Sequence, residues 1–295
     1  MPGKWTAPRS ICARNLRVDP AVNHQGVRIG GMALANGLLL HSPRYWAAAV
    51  RKEDGTIEVV SGDKQARLSS STDDGRLPLV RGLARLAEAL SVIPTVKSRL
   101  RSAVLPYEEP RMLAAFGLSS LATYGLRRVG RPTVGRELAA VGLGLAPVLA
   151  ALRGSPTAGY HGAEHKSIGE YERVVRGRPA ETATKEHERC GSNLVGPLLA
   201  TSIAGNALVR RLKPRSGPTT MLTTALVSTG LALEVFRWMS RHPGSKVAAG
   251  LSRPGHLLQQ FFTTKEPTPE QMEVARAALS EILRLEDAEL AAGQD

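Results

Sequence analysis

Apolar and polar positions alternate in several different rhythms along these 295 residues, and each change of rhythm predicts a different element. Residues 1–25 hold no periodic pattern and are expected to form a flexible tail; they also lack the sustained apolar stretch of a cleavable signal. Residues 30–40 are rich in Gly, Ala and Leu and end at His41-Ser42-Pro43. Residues 45–50 and 56–60 are apolar runs on either side of Glu53-Asp54-Gly55, and a turn dipeptide so placed predicts a β-hairpin. Between residues 78 and 105, Leu79, Leu83, Leu86, Leu90 and Ile93 recur at helical spacing. That helix carries Arg81, Arg85 and Lys97, which suits a headgroup layer and the surface of a soluble core alike.

Four runs without charge follow, at 113–126, 138–152, 192–209 and 216–233. A helix crosses a bilayer with about 20 apolar residues, the range beginning near 17, so the last two runs qualify and the first two fall short. Gly, Ser and Thr dilute all four, and such residues let helices approach closely in membranes. Buried helices of a globular domain are the alternative. Beyond Pro254 the chain turns polar again. Thr268-Pro269-Glu270-Gln271 combines a cap, a proline at the first helical position and a capping-box glutamine. Met272, Ala275, Leu279 and Ile282 mark the packing face of the helix that follows.

The fold class expected is mainly α: a membrane-associated multi-helix bundle with a small N-terminal β-hairpin region. Its parts would be the tail, 1–25; a hairpin and amphipathic helix, 26–111; a helical, membrane-embedded core, 112–256; and a soluble C-terminal helix, 257–295.

Composition narrows the partners. Aromatic residues make up only 4%, which favours closely packed helices over a β-sandwich. The 39 Lys+Arg against 26 Asp+Glu give a formal charge of +13, suited to nucleic acid or to an anionic membrane. No nucleic-acid module is present, and no nucleic acid is expected as a partner. Basic residues instead flank apolar runs, as Arg127, Arg128 and Arg131 do, and again Arg210, Arg211 and Lys213. The expected partner is a lipid bilayer with anionic headgroups. Basic flanks at both ends leave the crossing number open, and half-inserted hairpins with both ends on the cytoplasmic face would remove the conflict. The two cysteines, Cys12 and Cys190, do not make a disulfide framework, and Cys12 is assigned no role.

Candidate chemistry concentrates between the second and third apolar runs. His161-Gly162-Ala163-Glu164-His165-Lys166 places two imidazoles one helical turn apart with a carboxylate beside them. The pattern H-x-x-E-H is that of a metal site whose Glu activates water, which a metal acidifies from pKa 15.7 to about 7. Twenty residues on, His187-Glu188-Arg189-Cys190 adds an imidazole and a thiol, good ligands for Zn or another divalent metal. The expected ligands are His161, His165, His187 and Cys190, with Glu164 as general base. Four ligands would close a structural shell, whereas a reactive site needs an open position. Interfacial histidines and a buried apolar cysteine remain the plain alternative.

These residues resemble the YqhQ-like family of bacterial membrane proteins, a domain of unknown function often labelled a predicted metal-dependent enzyme. The resemblance runs from about Gly30 to Leu283. It rests on Gly30-Gly31 through Gly37, Ser42-Pro43, Arg81-Gly82, the His161–Lys166 segment and Arg189-Cys190-Gly191. It continues through Leu258-Gln259, Thr263-Thr264-Lys265-Glu266-Pro267 and Gln271. It implies a multi-helix membrane protein; the location expected for the chain is the bacterial cell membrane, with the basic N- and C-terminal regions cytoplasmic. The first motif departs from the family's Gly-Gly-Gln-Ala-Val-x-Glu-Gly: Met32 stands at the Gln position and Asn36 at the Glu position. An amide cannot act as a carboxylate base, so a chemical role for that Glu would be lost here. Two functions fit: a metal-dependent membrane hydrolase, or a non-enzymatic scaffold or regulator with a structural metal or none.

Overall fold

A computed structural model describes residues 26–64, 78–105, 108, 110–128, 133–153, 155–180, 183–213 and 217–292. The expected flexible tail, with Cys12, lies outside them. Mainly helical architecture holds among these residues, with eight helices and one small antiparallel sheet.

The sheet is a meander of β1 (Gly30–Ala33), β2 (Gly37–His41), β3 (Tyr45–Arg51) and β4 (Ile57–Asp63). The expected hairpin is β3–β4, pairing Tyr45 with Asp63 through Arg51 with Ile57. At its turn Gly55 takes φ +80°, which a side chain would strain, and Asp54 Oδ1 accepts from Thr56 N at 2.9 Å. The small-residue stretch before it forms β1 and β2, so the strand region is twice the size expected.

Both faces of this sheet are covered, and pleating assigns alternate residues to each. Leu38, Leu40, Ala47 and Ala49 face α4 (Pro156–Val175) and α8 (Pro269–Ala292). Leu34, Leu39, Trp46, Ala48 and Val50 face the end of α1 (Val80–Arg99) and the segment after it, where Val92, Val96, Leu100 and Ala103 are buried. The stripe expected to pack is therefore only partly used: Leu86 and Leu90 are exposed on α1. Helix α8 starts as its sequence predicts, Gln271 N donating to Thr268 Oγ1 and Thr268 N to Gln271 Oε1 at 3.0 Å. Thr268→Ala should cost about 1 kcal/mol, read as a lower melting temperature in detergent, and an unchanged one would refute this role.

The apolar runs form two helical hairpins, α2 (Pro110–Arg128) with α3 (Val134–Leu152), and α5 (Val195–Leu212) with α6 (Pro218–Arg241). Small hydroxyl residues sit at their contacts: Thr123 Oγ1 donates to Ala140 O, Thr201 Oγ1 to Ser228 O at 2.9 Å, and Ser228 Oγ to Thr201 O. The hairpin tips meet around buried Glu137, which accepts from Asn206 Nδ2 at 3.0 Å and pairs with Arg127 at 3.3 Å. Their outer surfaces stay apolar and exposed, as at Leu118, Leu121, Leu208, Leu222 and Leu226. Two segments, Gly191–Leu212 and Pro218–Arg241, are long and apolar enough to cross a membrane. After α6 comes α7 (Lys246–Leu258), extended by a wider π-type turn over Gln259–Thr263.

Candidate metal centre

Helix α4 begins with proline at its first turn and is buried almost all round from Thr157 to Tyr171. Helical spacing stacks His161 and His165 one turn apart on the same side, with ring centroids 4.4 Å apart. Each ring is oriented by a backbone carbonyl. His161 Nδ1 lies 2.8 Å from Thr263 O, in the wide turn after α7. His165 Nδ1 lies 2.6 Å from Lys185 O. A carbonyl only accepts, so both Nδ1 atoms carry a proton, and Nε2 is the nitrogen that each ring, when neutral, can offer a metal. This is the arrangement by which metal-binding histidines are held.

Cys190 comes to the same place from the turn before α5, its Sγ 3.5 Å from His161 Nε2. One donor atom from each of His161, His165 and Cys190 lies within 4.8 Å of the others, so the three form a cluster that could hold a metal ion. Metal–ligand bonds of about 2.0–2.3 Å span such separations with small side-chain adjustments.

His187 does not join them, and the expected four-ligand set contracts to three. Its ring centroid is 5.6 Å from that of His165. Its Nδ1 accepts from Arg189 N at 3.3 Å, and its Nε2 lies 3.7 Å from Glu172 Oε2. The turn from 187 to 190 is closed by a bond from Cys190 N to His187 O at 3.2 Å.

Glu164 sits beside the cluster. Its carboxyl packs against β1, where a Cβ on Gly31 would come within 2.8 Å of it. Burial pushes its pKa up to about 7, His161 opposing and Cys190 adding to the shift. Its Oε2 is buried with no hydrogen-bond partner among the described residues. Burial likewise holds His165 neutral, its pKa down near 2 with His161 pressing the same way, and raises the Cys190 thiol against bonds from Ser192.

The residues that fix the cysteine turn carried no signal of their own in the sequence. Gln259, wholly buried, accepts from His187 N at 2.7 Å and donates to Ser192 Oγ at 2.8 Å and His187 O at 3.2 Å. Asn193, equally buried, donates to Glu188 O at 2.8 Å. Gln259 stands in one of the stretches that carry the family resemblance, and that was the available signal.

Met32 and Asn36 are not part of the site. Met32 packs on the opposite face of the sheet, with the Trp46 core. Asn36 donates to Ser102 O at 2.8 Å and Arg51 O at 3.3 Å, and accepts from Val104 N at 3.0 Å. A carboxylate could not donate either bond, so Asn36 has a structural reason to be an amide.

Comparison with known proteins agrees with the motifs. Residues 157–285 match a family model described as "Protein of unknown function (DUF1385)". The chain is 27% identical over 306 residues to "Uncharacterized protein YqhQ" of Bacillus subtilis (strain 168), covering 87% of this chain and 92% of that protein. No solved structure matches. The chain is thus similar to a family of unknown function over residues 157–285, and to YqhQ over most of its length.

Proposed function

We propose that this chain is a bacterial membrane protein with a Zn site at His161, His165 and Cys190, serving a metal-dependent hydrolase. The observation that carries the reading is the convergence of two imidazole lone pairs and one thiol within 4.8 Å, each ring braced by a carbonyl. Three protein ligands leave a coordination position open, as catalytic zinc requires. Bound there, the metal would supply Lewis acidity and an acidified water. Glu164 is the adjacent group to take up a proton, and Gly31 leaves room for its carboxyl against the sheet. Both hairpins leave and rejoin the sheet-bearing part of the chain at one end, which suits insertion from the cytoplasmic face into a bilayer with anionic headgroups.

The test is metal content after purification in neutral detergent. Wild type should carry close to one Zn per chain, His161→Ala/His165→Ala none, and His187→Ala the wild-type amount. Cobalt substitution should give a thiolate charge-transfer band that disappears in Cys190→Ser. Wild-type protein without metal would end the proposal. A structural staple is the second reading, favoured by the cluster's position bridging α4 to the turn before α5. Glu164→Gln should keep its metal under both readings and lose hydrolysis only under the first.

A further inference from the structure

A second feature lies on the other side of Glu172 from the histidines: a cavity of about 760 Å³. Its wall is built from the start of α1, the end of α4, the end of α6, the turn before Cys190 and the segment leading into β1. Helix α1 contributes Arg81 and Arg85, and α6 contributes Arg237 and Arg241. Arg28, Arg176 and Arg189 complete the basic lining, and among the described residues its acids are Glu172 and Glu234.

The acids are already engaged. Glu234 Oε1 accepts from Arg81 Nε at 2.8 Å, the other carboxylate oxygen also meeting that guanidinium. Glu172 pairs with Arg189 and lies 3.8 Å from Arg176. Among the described residues, seven arginines against two glutamates give one concave surface a formal +5. Like charges gathered so closely repel, and an anion supplied from solution relieves that cost.

Shape and lining narrow the ligand. The volume lies in the range of sites for organic molecules and exceeds what one inorganic ion fills. Val27, Tyr171, Val175, Leu233 and Phe236 supply apolar wall between the arginines. Guanidinium forks match phosphate oxygens bidentately. Helix α6 is also one of the two helices apolar enough to cross a bilayer, and its cavity-lining residues are at its C-terminal end. We infer that this cavity binds a phosphorylated organic anion, its phosphates on the arginines and its apolar part against Phe236 and Leu233. The inference does not depend on a metal at the histidine cluster.

The experiment uses the full chain in two settings. In neutral detergent, inorganic pyrophosphate is titrated by calorimetry. In phosphatidylcholine nanodiscs, phosphatidic acid is added and protein thermal stability is followed. Binding in the first setting alone identifies a soluble phosphate source; stabilisation by phosphatidic acid identifies a lipid headgroup. Arg85 and Arg241 are exposed, so Arg85→Gln/Arg241→Gln should fold. It should weaken binding by about tenfold per arginine. Lys52→Gln/Lys246→Gln removes the same charge from exposed positions outside the cavity lining and should bind as wild type does. Response to neither phosphate, undiminished binding by the arginine variant, or equal loss in the lysine variant would overturn the assignment.

Discussion

Replacing Gly162 with alanine is expected to lower the stability of the protein by about 3 kcal/mol or more, the upper end of what overpacking costs. A Cβ at this position would stand 2.0 Å from the carbonyl oxygen of Lys265. Backbone oxygen cannot swing aside as a side-chain tip can, so the 263–267 segment would have to lift off α4. Two bonds hold it there: Lys265 N donates to Ala158 O at 2.9 Å, and His161 donates to Thr263 O. Lifting the segment therefore releases the His161 ring as well. The variant should melt well below wild type and lose its metal. Gly142→Ala in α3 is the control, because nothing lies within 4 Å of its Cβ position. It should be neutral or slightly stabilising, as expected for alanine in a helix. A wild-type melting temperature for Gly162→Ala would show that the close approach of α4 to this segment is wrong.

The second large effect is expected from Gln259→Leu. Leucine fills a similar volume but returns none of the glutamine's bonds, so His187 N is left buried without its acceptor and Ser192 without its donor. Each orphaned buried group costs about 1–3 kcal/mol. The turn carrying Cys190 would loosen, and with it the thiol's approach to His161. Loss of such supporting bonds typically weakens metal affinity about 10- to 100-fold. Competition with a chromogenic chelator should detect that drop even where the melting temperature falls only modestly. Retained zinc affinity would mean the turn is held by Asn193 alone.

Some of this was legible from local pattern. The β3–β4 turn, the capping box of α8 and the helical stacking of His161 over His165 follow from residues within a few positions of one another. Local sequence acts strongly there because Gly55 permits a positive φ, Thr268 caps the helix and Pro269 fixes its own φ. Strands β1 and β2 were not legible. Both faces of the sheet are covered, so Leu38, Leu39 and Leu40 form one continuous apolar run without the alternation that announces a strand. The α1 stripe was legible as a helix but not as to which residues would be buried. That depends on Trp46 and Val50 lying opposite Val92 and Val96.

The candidate site divides the same way. Ligand chemistry and the four-residue spacing of the histidine pair are properties of the sequence by itself, as are the +13 charge and the length of the apolar runs. Which of His187 and Cys190 would reach that pair was decided only in the tertiary structure. The two lie three residues apart on a turn whose direction is set by Gln259 and Asn193, and the carbonyl bracing His161 comes from about 100 residues further along. The arginine cavity likewise has no local signature, since its charges come from five separated segments. Spacing along a chain constrains neighbours within a helical turn or a hairpin; beyond that reach, only packing determines which side chains meet.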